Sequence, residues 1–132
     1  MDNEELTGKI IGAAYRVFNT MGYGFVESVY ENCLLIELRK LGLQAENQFA
    51  IKVYYEGHVV GDFFADIFVA RTVIVELKSV RGLAPAHEVQ LVNYLKATGI
   101  DIGLLINFGE QRVEVKRKKR VLSDQENSES DS

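Results

Sequence analysis

The sequence predicts an α/β or α+β fold in which a mixed central β-sheet is flanked by helices in the order α-α-β-β-β-α-β-β. Three observations carry this. Two stretches with helical spacing come first, separated by glycines. Strand-like alternation and short apolar runs follow over residues 49–77 and 102–106. The only proline opens a third helical stretch between the runs TVIVEL and IGLLI. At 132 residues, 47% hydrophobic and 26% charged, the chain has the length and composition of one globular domain, which we expect over residues 1–122.

The first helix is predicted over residues 3–20. Asp2 and Asn3 offer a cap, Glu4 and Glu5 suit a positive N-terminus, and Leu6, Ile10, Ala14, Val17, Phe18 and Met21 recur at helical spacing. Gly22 and Gly24 break it. A second helix opens at residues 25–30 and turns Val29, Tyr30, Cys33, Leu34, Leu38 and Leu41 to one face, with Gly42 as its C′ residue. Cys33, the single cysteine, reads as core filler, and it excludes both an internal disulfide and a cysteine-based zinc cage.

Phe49, Ile51, Val53 and Tyr55 alternate with Ala50, Lys52 and Tyr54, the pattern of a half-buried strand that turns at Glu56-Gly57. The run GDFFADIFVARTVIVELKSVR, residues 61–81, then reads as two strands joined around Ala70 and Arg71. With the preceding strand they make a three-strand meander. Residues 72–77 (TVIVEL) look like a central buried strand. Pro85 suits the first turn of a helix that runs to Thr98 and stops at Gly99. His87, Gln90 and Tyr94 share one face of it. IGLLI is an interior strand, and Val113 and Val115 begin one more across the Gly109-Glu110 turn.

Charge narrows the function classes. Formal net charge is −4, but the last ten residues, SDQENSESDS, hold four acids and no base. Without those four, 15 of the 19 acids remain against 15 bases, so the body is neutral. A strongly basic nucleic-acid surface is therefore not expected, although local patches act without net charge. The run 116–120 (KRKKR) is expected to be solvated and unstructured, with direct nucleic-acid contact as the alternative, and residues 123–132 to form an acidic flexible tail. No apolar run approaches the roughly 20 residues that span a bilayer, and MDNEELTGK lacks the features of a signal peptide. A cytoplasmic protein with no membrane partner is the expectation; the oligomeric state is not legible.

The chemistry concentrates in three residues. Strand side chains alternate faces, so Glu76 and Lys78 lie together while Val75 and Leu77 point the other way. A hairpin about Ala70 and Arg71 brings Asp66 opposite or next to Glu76. Two adjacent carboxylates repel unless a cation sits between them. A divalent ion such as Mg²⁺, shared with substrate phosphate oxygens, supplies one, and Lys78 is then placed to hold or polarise water. The same residues also fit an ion pair of Lys78 with Asp66 or Glu76 and no chemistry.

With those residues laid out, the chain resembles the GxxExxY proteins, a group within the PD-(D/E)xK nuclease superfamily. Gly24-Phe25-Val26-Glu27-Ser28-Val29-Tyr30 matches the group's motif; Asp66 and Glu76-Leu77-Lys78 match the superfamily motif, with Ala65 where the superfamily has proline. Gln90 and Tyr94 in HEVQLVNYLKATG match the later helix, and residues 103–109 (GLLINFG) the C-terminal signature. The resemblance implies a restriction-endonuclease-like core and a metal-dependent nuclease. In that reading Asp66, Glu76 and the Leu77 carbonyl ligate Mg²⁺ or Mn²⁺, and Lys78 activates water. Gln90 steadies the lysine or a phosphate, Tyr94 donates to the scissile phosphate, and Glu27 completes the metal shell. Glu27 alternatively complements its helix dipole, worth only about 0.3–1 kcal/mol. The implied partner is nucleic acid, DNA before RNA. The competing reading is a non-catalytic nucleic-acid- or partner-binding module on the same scaffold.

Overall fold

The computed structural model describes residues 1–120; the expected acidic tail lies outside the described residues. The elements are α1 (Asn3–Met21), α2 (Glu27–Lys40), β1 (Ala45–Tyr55), β2 (His58–Val69), β3 (Val73–Lys78), α3 (Pro85–Thr98), β4 (Ile102–Phe108) and β5 (Val113–Lys119). Their order is the predicted one. The five strands form one sheet in sequence order, antiparallel throughout except for the parallel pair β3 and β4, which α3 connects. The sheet is mixed, and β3 is its centre.

Helices cover both faces. Val73, Val75 and Leu77 pack with Ile102, Leu104 and Ile106 against Ile10, Ala14, Leu34 and Leu38 of α1 and α2. On the other face Ile74, Leu105, Ile51 and Ala65 pack under Leu91, Tyr94 and Leu95 of α3. Both faces of β3 are thus buried, which is why TVIVEL is apolar without alternation and why Glu76 stands out in it.

Local chemistry explains the boundaries. Asp2 accepts a hydrogen bond from the Glu5 amide at 2.7 Å and caps α1. Gly42, at φ 79°, follows α2, and the Leu43 amide bonds back to the Leu38 carbonyl. Tyr30 is fully buried and stacked on Phe108 at 4.3 Å. Its hydroxyl donates to the Gly22 carbonyl, so it fixes the connection that leads into α2. The three-residue turn between β2 and β3 holds Ala70 and Arg71 at φ 52° and 49°, and the Thr72 amide bonds back to the Val69 carbonyl at 2.9 Å. Arg71 is anchored by Glu46 at 2.8 Å and lies over the Phe68 ring at 5.1 Å.

Three expectations shift. The strand β1 begins at Ala45, ahead of Phe49, because Gln48 at φ 53° interrupts the alternation that marks a strand in sequence. The helix α2 begins at Glu27, with Val26 as an extended N-cap, two residues after the glycine-rich break suggested. The basic run 116–120 is not an unstructured segment. Lys116 to Lys119 are the second half of the edge strand β5, with Lys118 buried and paired to Glu88 of α3 at 2.8 Å. A buried, paired lysine within a run of five bases carries no signal in the sequence.

Candidate active site

The site lies where β2 and β3 part. Their ladder pairs Val69 with Val73, Phe68 with Ile74 and Ile67 with Val75, and backbone pairing then stops. One residue further, two carboxylates replace the ladder. Glu76 Oε1 accepts from the Asp66 amide at 3.0 Å, and Asp66 Oδ2 accepts from the Leu77 amide at 2.7 Å. Each acid is thus held by its neighbour's backbone.

Asp66 also marks a change of face. Ile67 and Val69 belong to the α1/α2 core, yet Ala65, two residues before Ile67, belongs to the α3 core. A regular strand would put Ala65 and Ile67 on one face. On the paired strand the irregularity falls at Gln48, which has left-handed backbone and no ladder partner between Asn47 and Phe49. Asp66 is therefore felt by residues from both helical layers, Glu31 of α2 and Tyr94 of α3.

Burial dominates the electrostatics. Glu76 is 7% exposed, and its carboxyl is pushed up to about 8, first by burial and then by the Asp66 charge; the Asp66 amide and the Lys78 ammonium oppose the shift. Burial raises Asp66 too, against the Leu77 amide, Lys78, and the Glu31 and Gln48 side chains. Glu31 is raised by burial and by Asp66, while Gln48 donates to it at 2.9 Å and opposes this. The Tyr94 hydroxyl is raised by burial, then by Glu76 and Asp66.

Lys78 closes no ion pair with either acid among the described residues, so the simple ion-pair reading has no geometric support. Glu27, the first residue of α2, is exposed and contributes only a weak charge effect at Glu76 and Glu31. Tyr94 is buried against Phe63 at 5.7 Å. Gln90, one turn earlier, is exposed in the groove beside Tyr94 and makes no hydrogen bond to Lys78 among the described residues. His87 caps α3, its Nδ1 accepting from the Ala84 amide at 3.0 Å. Glu31 was not singled out from the sequence. Its one signal is position, four residues after Glu27 and so on the same face of α2.

A second network fixes the end of β3. The fully buried Asn107 of β4 accepts from the Val80 amide, donates to the Val80 carbonyl and donates to Glu114, each at 2.9 Å. Ser79 donates to the Phe25 carbonyl at 2.8 Å. The segment after Lys78 is thereby tied to β4 and to the entry of α2.

The donor set consists of the Asp66, Glu76 and Glu31 carboxylates with the Gln48 side-chain amide, which suits a hard divalent cation. Carboxyls held above their ordinary range by burial and mutual repulsion are the groups a cation would return to the ionised form. Among the described residues, no group of three or more His, Cys, Asp and Glu side chains forms a finished metal cage. No helix among them is long and apolar enough to cross a membrane.

The architecture, an antiparallel hairpin running into a parallel β-α-β unit with acids at the fork, is of the nuclease-fold class. The structure is similar to an alkaline exonuclease from Laribacter hongkongensis, with TM-score 0.55 and 13% identity, covering 99% of this chain and 77% of that one. It is also similar to SSO0001, with TM-score 0.55 and 17% identity, over 79% of this chain and 55% of that one; this chain thus spans about half of that neighbour's length. No curated protein matches the chain. The family model of the PD-(D/E)XK nuclease superfamily matches residues 4–118, and the chain belongs to that superfamily.

Proposed function

We propose that the protein is a divalent-metal-dependent nuclease of the GxxExxY group that hydrolyses phosphodiester bonds of DNA, with RNA as the second substrate class. The observation that carries this is the Asp66–Glu76 pair: a half-buried and a buried acid, oriented by backbone amides, with a lysine beside them that neither acid has paired. Divalent-metal dependence is typical of the superfamily. Mg²⁺ or Mn²⁺ would be held by Asp66, Glu76 and the Leu77 carbonyl, with Glu31 adjoining Asp66. An ion held there would supply Lewis-acid stabilisation of a phosphate oxygen and lower the pKa of a bound water.

The chain's own residues do the rest. Lys78, with no ion pair among the described residues and on the same strand face as Glu76, orients the attacking water or neutralises charge on the phosphate. Tyr94 offers a hydroxyl whose proton is held firmly by burial and by the acids' charge, so it acts as a donor to a phosphate oxygen. Glu31 and Gln48 position Asp66 from α2 and β1. Gln90 and Glu27 sit further out and steer substrate or ion approach.

The absence of a finished metal cage among the described residues favours one second reading, a nucleic-acid-binding module without turnover. Calorimetric titration with Mg²⁺ and Mn²⁺, together with cleavage of single-stranded, duplex and branched DNA and RNA, separates the two. Metal binding with metal-dependent cleavage supports the nuclease; nucleic-acid binding without metal binding or cleavage overturns it.

A further inference from the structure

The β1–β2 hairpin extends past the fork as an arm whose α3-facing side does not close onto α3. Between them lies a groove of about 790 Å³, within the range of about 300–1,000 Å³ usual for small-molecule sites. Tyr54 and Phe63 line it from the arm, and Val89, Asn93, Tyr94 and Lys96 from α3. Tyr54 and Val89 are 61% and 58% exposed, apolar surface left open to water. The groove has a set floor: Phe63 lies across Gly61, where a Cβ would meet the ring at 2.8 Å, and its far side packs on Tyr94.

Three features identify an occupant. Aromatic faces beside side-chain amides, here Asn93 and Gln90, are what a nucleobase needs to stack and to satisfy its edge. Among the described residues Lys96 is the only charged one of the lining, with no acid beside it, so these residues do not repel a polyanionic backbone. Tyr94 is a wall shared with the carboxylate site, which makes the groove adjacent to any phosphate held there.

We infer that this groove is a base-binding subsite for one unpaired nucleotide flanking the scissile phosphate, so that the substrate is single-stranded or locally opened nucleic acid rather than intact duplex. A base inside a duplex has its faces stacked and its edge paired, and it cannot enter such a groove without being extruded. This rests on the nucleic-acid reading above and sharpens its substrate class.

The test measures binding without turnover. Fluorescence anisotropy in EDTA compares three labelled probes of equal length: oligothymidylate, the same backbone with every base replaced by an abasic tetrahydrofuran unit, and the oligothymidylate–oligoadenylate duplex. The parent protein should bind oligothymidylate about tenfold more tightly than either other probe. Tyr54→Ala, and independently Asn93→Ala, should reduce oligothymidylate binding to the abasic level, with abasic binding and melting temperature unchanged. Equal binding of the abasic and base-bearing probes overturns the inference. So does a Tyr54→Ala protein that keeps oligothymidylate affinity but changes sedimentation, which assigns the groove to a second copy of the chain. Base-dependent binding without cleavage in Mg²⁺ or Mn²⁺ leaves this inference standing and removes the nuclease; cleavage with base-blind binding does the reverse.

Discussion

Glu76 Oε1 lies 3.0 Å from the amide nitrogen of Asp66, so Glu76 is fastened to the backbone of its neighbouring acid. Asp66 is fastened in the same way by Leu77 at 2.7 Å. Asn at position 66 would keep an oxygen for that amide, and its volume is nearly that of Asp. Asp66→Asn should therefore fold normally, lose metal affinity by at least about tenfold, and regain part of its cleavage at high Mn²⁺. Calorimetry and a melting curve check both halves.

Lys78 closes no ion pair among the described residues, which fixes a different outcome for its removal. Lys78→Ala should retain metal binding and stability to within about 1 kcal/mol while cleavage falls about 10²–10⁴-fold. A buried ion-pair network would instead lose about 3–5 kcal/mol on the same substitution. Thermal melts beside single-turnover cleavage distinguish the two patterns.

Glu31 and Glu27 sit on one face of α2, but only Glu31 is raised, by burial first and then by Asp66, and bonded by Gln48. Glu31→Gln should weaken metal binding about 10–100-fold, the usual effect of removing a group that positions a ligand. Glu27→Gln, fully exposed at the helix start, should change it by no more than about 0.5 kcal/mol. Parallel Mn²⁺ titrations check the ranking, and equal losses in both variants would restore the role the sequence suggested for Glu27.

Element types and order were legible because they rest on local signals: helical spacing before Gly22, alternation through residues 49–55, Pro85 and Gly99 around α3. Asp66 beside Glu76 was legible as well, since the turn at Ala70 and Arg71 fixes the hairpin register. The contribution of Glu31 was not, because it depends on the irregularity at Gln48 and Asp66 that brings α2 to the fork. That irregularity has no residue-type signature: Gln is not a residue that marks left-handed backbone. The second half of β5 was hidden for a related reason. Lys118 is buried where Glu88, thirty positions earlier, meets it from α3.

Close packing of α3 on the sheet rests on a missing side chain. A Cβ at Gly103 would fall 2.7 Å from Leu91 Cδ1, well inside contact distance. Gly103→Ala should cost about 1–3 kcal/mol by overpacking, and adding Leu91→Val should recover part of that loss. Denaturant melts of the single and double variants test the coupling; additive losses would mean that the two residues do not meet.

The strongest pH dependence should come from Glu76. Its carboxyl titrates near 4.5 in an unfolded chain and is pushed up to about 8 in the fold, by burial first and by Asp66 second. Between those values the folded state holds a proton that the unfolded chain has released, so stability must fall as pH rises through the window and level off above about 8. The loss is on the order of a few kcal/mol, with Glu31 and Asp66 adding to it in the same direction. Glu76→Gln keeps an oxygen acceptor for the Asp66 amide and cannot ionise, so its melting temperature in EDTA should be much flatter from pH 5 to 9. Mg²⁺ should reverse the trend in the parent protein. Bound cation favours the ionised acids, so the rise in melting temperature on adding Mg²⁺ should be small at pH 6 and large at pH 9, and absent at both in Glu76→Gln. A parent protein whose EDTA melting temperature tracks the Glu76→Gln variant across the whole range would show that Glu76 is ionised in the folded chain at neutral pH, and that the acids at the fork are already compensated without a metal.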